Sequence, residues 1–195
     1  DDEKYFTNAE LRILRCETIE QLHSLYKSGE AQVKDVAIAF CKRLLSRCGP
    51  DKLNCIAEVT IREALKVAEN LDRTLSTAKK RERVELFETF PLFGVPVTTK
   101  DQYMQKNCDA TCGLARLTRM PCEKDSYLIA GLRDAGAVLI SRDNVPQLLF
   151  LPESQNLIYG TSKNVYNANR GVGGSSGGGA GTVAAGGAML ALGSD

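Results

Sequence analysis

The sequence predicts an α/β fold in which helices pack against a buried sheet. Two observations support this prediction: helical periodicity of apolar residues over residues 1–90, and short continuous apolar runs, separated by a helical pattern, after Pro91. With 195 residues, 43% of them hydrophobic, the chain can form the core of one globular domain. Because no linker or repeat interrupts it, residues 1–195 are predicted to belong to a single domain, mainly helical over residues 1–90 and α/β over residues 91–195.

Three amphipathic helices are predicted in the first part of the chain: one that follows Thr18, one over residues 31–48 and one over residues 63–75. Thr18 and Gln21 have the spacing of a capping box, which marks the start of the first helix. His23 lies within this helix and is expected at the surface. The charged run at residues 79–83 is expected to be a solvated loop.

The second part of the chain alternates between strand-like and helix-like patterns. The predicted elements are a buried strand over residues 92–97 that leads into Lys100, a helix over residues 126–135, a buried strand over residues 137–140 and a helix over residues 180–192. Because the last segment is apolar on all sides, it is expected to be enclosed by protein. A membrane-spanning helix is the alternative, but the first half of the uncharged stretch 171–194 is rich in Gly and Ser, which insert poorly.

The run from Gly171 to Gly181 is almost free of side chains and holds two adjacent hydroxyl groups, on Ser175 and Ser176. Because glycine lets another group approach the main chain closely, we interpret this run as a reaction site. A phosphate-binding loop would need a lysine at the end of the run, and none is present. A dinucleotide-binding turn would match residues 179–184 but needs a preceding strand, where the sequence has Gly and Ser.

Charge and cysteine content argue against several other function classes. Lys and Arg number 25 and Asp and Glu 24, so no strong field attracts nucleic acid and no nucleic-acid partner is expected. Seven cysteines, an odd number, suit a reducing, intracellular compartment. Cys108 and Cys112 are spaced like zinc ligands but lack a second close cysteine pair, so a metal site is not expected. The chain begins at Asp1, and no targeting segment is recognised in it.

Lys100 is the best candidate for a group that exchanges protons with Ser175 or Ser176. The single histidine, His23, is far from both serines in sequence, so a Ser-His-Asp triad is difficult to assemble. Lys100 follows an apolar strand, and burial disfavours the ammonium form, which would let a neutral amine accept a proton from a serine. The alternative is a salt bridge from Lys100 to Asp101 or another carboxylate, and spacing alone does not decide between the two.

Two motifs, Gly94-Val-Pro-Val-Thr-Thr-Lys100-Asp101 and Gly173-Gly-Ser175-Ser176-Gly-Gly178, resemble the amidase signature family. Further segments fall in the order and spacing of that family: Asp109-Ala-Thr-Cys-Gly113, Asn144-Val-Pro-Gln147, Asn156-Leu-Ile-Tyr-Gly160 and Leu192-Gly-Ser-Asp195. The segment that begins at Asn144 is most similar to the fatty acid amide hydrolase branch. Three positions depart from the pattern: Asp143, where threonine is frequent, Val165, where Asn-Pro is common, and Val172, where proline is usual.

The resemblance implies an α/β/α sandwich around a mixed sheet, of which about half would be present here. It also implies a triad in which a lysine and a bridging serine in a cis peptide relay a proton from a nucleophilic serine. The matching positions are Lys100 for the lysine, Ser175 for the bridging serine, and Ser176, Gly173 and Gly174 as supporting residues. Leu149 and Phe150 fall where the fatty acid amide hydrolase branch lines its acyl pocket, with a place in the core as the alternative.

By the same resemblance, the intact protein is expected to be a cofactor-independent serine amidohydrolase that acts on a small-molecule amide, with a fatty acid amide as the leading substrate. The nucleophile is expected shortly after Asp195, in the remainder of the same polypeptide. A catalytically inactive scaffold that keeps the amidase fold within a larger assembly is the alternative. An ammonia-generating amidotransferase subunit agrees less well, because Gly179-Ala-Gly181 stands where that subunit has Ser-Ala-Ala. Membrane association and a homodimer are left open.

Overall fold

A computed structural model describes residues 3–195 of the chain. Its helices are α1 (Asn8–Leu14), α2 (Ile19–Ser28), α3 (Val33–Cys48), α4 (Ile61–Thr77), α5 (Lys80–Thr89), α6 (Tyr127–Asp134) and α7 (Gly177–Ala184). Its strands are β1 (Ile56–Val59), β2 (Pro96–Lys100), β3 (Val138–Asp143), β4 (Gln155–Asn156), β5 (Gly160–Thr161) and β6 (Leu190–Leu192).

A mixed four-stranded sheet, in the order β1-β3-β2-β6, forms the centre of the fold. β2 runs parallel to both β3 and β6, whereas β1 pairs with β3 in the antiparallel direction. Every residue of β2 and β3 is buried, as expected for parallel strands that are covered on both faces. The predicted α/β class with a mixed sheet is therefore confirmed.

Both predicted strands are present, but each extends further toward the C-terminus than predicted and ends in polar residues. β2 begins at Pro96 rather than at residue 92, because residues 91–94 form a turn in which Gly94 has a φ of +70° and its carbonyl accepts a hydrogen bond from the Tyr26 hydroxyl. β3 continues past residue 140 through Ser141, Arg142 and Asp143, all of which are buried. Hydrophobic patterning alone does not detect these polar residues at the strand end.

The charged run at residues 79–83 is not a loop, because all but its first residue belong to α5. The Lys79 N–H donates to a Glu82 carboxylate oxygen at 2.7 Å, which caps the helix, and Phe87 on its opposite face is buried. The Phe87 ring packs against His23, with the ring centroids 4.7 Å apart.

His23 is consequently buried rather than at the surface, with 7% of its area exposed. Its Nε2 lies 3.0 Å from the Phe93 carbonyl, which can only accept, so Nε2 carries the hydrogen. Burial is the main cause that lowers the pKa of this imidazole. The expectation of a surface histidine was wrong because a period-3.6 pattern does not show which neighbouring element covers a given position.

The apolar segment 180–192 is also not one helix. α7 ends at Ala184, Gly186 adopts a φ of +71°, and the chain then enters β6 beside β2. The positive φ that Gly186 supplies ends the helix and redirects the chain. No helix within residues 3–195 is both long and apolar enough to cross a membrane.

Candidate active site

Lys100 is the last residue of β2, and its side chain is almost completely buried, with 1% of its area exposed. Its Nζ lies 2.7 Å from Ser175 Oγ and 3.0 Å from Ser176 Oγ. These three groups come from two segments that are 75 residues apart. The structure therefore brings together the lysine and both serines that the sequence analysis selected.

The position of Ser175 is fixed by the glycines that precede it. Gly173 has a φ of +87°, and its carbonyl accepts hydrogen bonds from the backbone N–H and the hydroxyl of Ser154. The peptide bond between Gly174 and Ser175 is cis. A Cβ atom at Gly174 would lie 2.9 Å from the Leu151 carbonyl oxygen, so a larger residue does not fit without movement.

Ser176 precedes α7 and links it to the segment that follows β6. Its hydroxyl donates to the Ser194 carbonyl at 2.9 Å and accepts from the Ser194 N–H at 3.1 Å. Its own carbonyl accepts from the Ala180 N–H in the first turn of the helix. Ser176 is therefore hydrogen-bonded both to the first turn of α7 and to the segment that follows β6.

Ser194 is a member of the site that the sequence analysis did not select. Its Oγ lies 2.9 Å from Lys100 Nζ and 3.1 Å from the Gln102 side-chain carbonyl oxygen. The Tyr103 hydroxyl donates to the carbonyl of the preceding Gly193 at 2.7 Å. A signal was present, because carboxyl ends of neighbouring parallel strands meet at one edge of a sheet, but it required residues 190–192 to be recognised as a strand.

The electrostatic environment of Lys100 shifts its pKa toward the neutral amine. Burial is the largest influence and lowers the pKa of the amine, whereas the negative charge of Asp195 opposes this shift and raises the pKa. A neutral amine has a lone pair that can accept the Ser175 hydroxyl proton, whereas an ammonium group can only donate. The arrangement is therefore suited to proton transfer between Lys100 and Ser175.

The Asp101 carboxylate, directly after β2, forms its hydrogen bonds with groups other than Lys100. Its Oδ2 accepts hydrogen bonds from the Thr111 hydroxyl at 2.7 Å and from the Cys112 N–H at 2.8 Å. Arg142 lies beside Asp101, and its guanidinium donates to the Asp101 carbonyl. The alternative in which Lys100 forms a salt bridge with Asp101 therefore has no support in the geometry, since Lys100 contacts serine oxygens instead.

The two residues predicted to line an acyl pocket lie in and directly after a 3₁₀ turn that follows β3. Phe150 is 90% exposed, and Leu149 is partly buried with a φ of +62°. Neither belongs to the buried core of the described residues. Their role in substrate binding stays a prediction.

The comparisons with known proteins identify the family. A family model for amidases matches residues 38–195. The chain belongs to the amidase family. The resemblance recognised in the sequence is thereby confirmed.

Individual relatives agree with this assignment. The chain is 34% identical to an amidase of Gibberella moniliformis over 190 residues, which is 97% of this chain and 34% of that protein. It is 32% identical to human fatty-acid amide hydrolase 2 over 175 residues, which is 90% of this chain and 32% of that protein. A solved structure of a fatty acid amide hydrolase superposes with a TM-score of 0.84 at 28% identity and covers all of this chain, which in turn covers 32% of it. The chain thus spans about a third of the length of these relatives.

Proposed function

We propose that the whole protein is a serine amidohydrolase in which Lys100 is the general base and acid and Ser175 is the bridging serine. The observation that carries this proposal is the 2.7 Å separation of Lys100 Nζ and Ser175 Oγ in a site where burial lowers the pKa of the amine. Ser175 is half-buried, whereas Lys100 is closed off from solvent. Lys100 is therefore the buried group that can accept a proton after a nucleophile has passed its own proton to Ser175.

The proposed reaction follows from this proton path. A nucleophilic serine, which the family resemblance places shortly beyond Asp195, attacks the amide carbonyl while its proton moves to Ser175 Oγ and the Ser175 proton moves to Lys100. The lysine then returns a proton through Ser175 to the leaving amine, and water hydrolyses the acyl-enzyme by the same path. Ser176, Gly173 and Gly174 hold Ser175 at the distance that this transfer needs.

The proposed substrate is a carboxamide with an apolar acyl group, and a fatty acid amide is the leading case. Two features support this class: the match to a fatty-acid amide hydrolase and the exposed apolar side chains of Phe150 and neighbouring Leu148 and Leu151 beside the turn that follows β3. We further propose an intracellular location, with access to lipid substrates at a membrane surface, and a small-molecule amide as the partner.

The experiment that tests this function uses the full-length protein and a fluorophosphonate, which labels activated serine nucleophiles. Lys100→Ala and Ser175→Ala are each expected to reduce both labelling and amide turnover by more than about 100-fold, because each removes one member of the proton path. Lys52→Ala, which changes an exposed lysine, is the matched control and should behave as the wild type. Labelling and turnover that survive in the Lys100→Ala protein would refute the assignment, and a full-length protein that never labels would favour the inactive scaffold.

A further inference from the structure

Arg142 is a fully buried cation that the proposed reaction does not use. It lies on β3, is paired in register with Thr99 of β2, and has none of its area exposed. Its Nη2 donates a hydrogen bond to the main-chain carbonyl of Asp101 and lies 3.8 Å from Oδ1 of the same residue. Its Nε and Nη1 have no hydrogen-bond partner within residues 3–195. The polar contacts that this guanidinium makes in the described chain are therefore concentrated on the residue that directly follows Lys100.

Two carboxyl groups face Arg142. Asp101 lies directly after β2, and Glu58 of β1 is the register partner of Arg142 in the antiparallel pair. Burial raises the pKa of both carboxyl groups, and the positive charge of Arg142 lowers each of them. Arg142 is therefore the cation of a charge cluster that extends across three strands. Removal of the cation from such a cluster leaves its carboxylates without compensation.

The main chain of Asp101 is bonded to β3 through both of its polar groups. Its N–H donates to the Asp143 carbonyl at 3.3 Å, and its carbonyl accepts from the Arg142 side chain. The register of β2 with β3 ends at the pair Lys100 and Asp143. The Arg142 side chain thus holds the peptide group that comes directly after the last pair of the two strands. Because Asp101 is buried, its carbonyl needs this donor or another one in its place.

The turn that follows β2 joins Arg142 to the candidate site. The Tyr103 N–H donates to the Lys100 carbonyl at 3.1 Å, which closes the turn. Within the turn, the side-chain carbonyl oxygen of Gln102 lies 3.1 Å from Ser194 Oγ. The same Ser194 Oγ lies 2.9 Å from Lys100 Nζ. A continuous path of contacts therefore leads from the buried guanidinium, through the turn, to a hydroxyl neighbour of the lysine amine.

We propose that Arg142 is a positioning residue for the proposed reaction. It holds the Asp101 carbonyl and thereby fixes the turn that places Ser194 beside the Lys100 amine. This inference rests on the proposed function. Because the Arg142 side chain is closed off from solvent, it acts through this turn and not by contact with a substrate. Without the guanidinium the turn can move, and the amine loses a fixed hydroxyl neighbour while Ser175 stays in place.

The first test measures kcat and KM of the full-length protein for hydrolysis of decanoyl-7-amino-4-methylcoumarin. Arg142→Met removes every donor, and it should lower kcat by about 10-fold to 100-fold, the effect of losing one hydrogen bond from a charged group. KM should change by less than about twofold, because Arg142 does not contact the substrate. Arg142→Lys keeps the charge and a donor, and it should stay within about fivefold of the wild-type kcat. Arg62→Met, which changes an exposed arginine of α4, is the matched control and should behave as the wild type.

A double-mutant cycle separates positioning from a general loss of stability. If Arg142 acts through Ser194, the two effects overlap, so Ser194→Ala should lower kcat less in the Arg142→Met background than in the wild type. Ile129→Ala removes a fully buried side chain of α6 and should destabilise the fold without this overlap. For protein that circular dichroism shows to be folded, the small effect of Ile129→Ala on kcat should multiply with that of Ser194→Ala.

Gln102→Ala tests the same path without a fully buried change, in case Arg142→Met does not fold. It should lower kcat by about 3-fold to 10-fold, the effect of losing one neutral hydrogen bond. A wild-type kcat in Arg142→Met or in Gln102→Ala overturns the inference, and so do losses from Arg142→Met and Ser194→Ala that simply multiply. A wild type that neither hydrolyses the substrate nor reacts with the fluorophosphonate refutes the proposed function instead, and the inference with it.

Discussion

Ser194 Oγ lies 2.9 Å from Lys100 Nζ, although 94 residues separate the two positions in sequence. The contact exists because β2 and β6 are neighbouring parallel strands, so the residues that follow them meet at one edge of the sheet. Together with Ser175 and Ser176, Ser194 gives the buried amine three hydroxyl neighbours. These contacts fix the position of the amine.

Removing this third hydroxyl should weaken catalysis without abolishing it. Ser194→Ala is expected to lower kcat/KM by about 10-fold to 100-fold, the effect of losing one hydrogen bond to a group that carries charge during the reaction. The loss should be smaller than that of Ser175→Ala, because the proton path from Ser175 to Lys100 remains. Steady-state kinetics of the full-length variants measure this loss in kcat/KM. Ser76→Ala, on the exposed face of α4, is the control and should behave as the wild type. Equal activity of Ser194→Ala and the wild type would refute the positioning role.

The ascending limb of the pH profile should respond to Asp195. The negative charge of Asp195 raises the pKa of Lys100, against the larger effect of burial. Under the proposed function the neutral amine is the active form, so Asp195→Asn should move the ascending limb of kcat/KM toward lower pH. Asp51→Asn removes an exposed charge elsewhere and should leave the limb in place. A shift toward higher pH in Asp195→Asn would contradict this account of the site.

The glycines of α7 should tolerate no side chain where the helix meets β3. Gly178→Ala places a Cβ atom 2.4 Å from the Asn144 carbonyl oxygen, so the backbone must shift, and we expect a loss of about 1–3 kcal/mol in the free energy of unfolding. Gly131 is also within a helix, but a Cβ atom there meets nothing within 4 Å. Gly131→Ala should therefore gain up to about 1 kcal/mol from helix propensity. Urea denaturation of the two variants compares them directly.

His23 should make the protein less stable in acid. Burial lowers the pKa of its imidazole below the unfolded value of 6.5, so its contribution to stability is present above that pH and is lost as pH falls through the lowered pKa. His23→Gln retains a donor for the Phe93 carbonyl but does not titrate. Thermal unfolding between pH 7 and pH 5 should show a smaller loss for this variant than for the wild type, and parallel curves would disprove the role of His23.

The residues that carry chemistry were easier to predict than the elements that hold them. Lys100 and Ser175 could be selected because a lysine at the end of an apolar strand and a hydroxyl pair in a glycine run are local features. Ser194 could not, because its segment is apolar on all sides and was interpreted as helix, which concealed β6. Whether such a segment becomes helix or strand depends on the partner strand it meets, and that is a tertiary property.

The glycine run shows a second limit of sequence reasoning. Its lack of side chains was interpreted as space for a reacting group, but at Gly178, Gly179 and Gly181 the atoms that fill this space belong to Asn144, Asp143 and Cys55 of the protein itself. The sequence thus predicts that a group lies close to this backbone, but it does not predict that the group belongs to the protein itself. A run of small residues indicates that another group approaches the backbone closely, but only the folded structure identifies that group.

The order of the strands has a consequence for the newly made chain. Lys100 is synthesised early, whereas Ser175, Ser176 and Ser194 follow it by 75, 76 and 94 residues, and the contact of Ser194 depends on β6 having docked beside β2. A partly synthesised chain therefore contains the lysine without any of its hydroxyl neighbours. Under the proposed function, turnover during cell-free translation should therefore appear only after β6 has docked beside β2 and the nucleophile beyond Asp195 has been made.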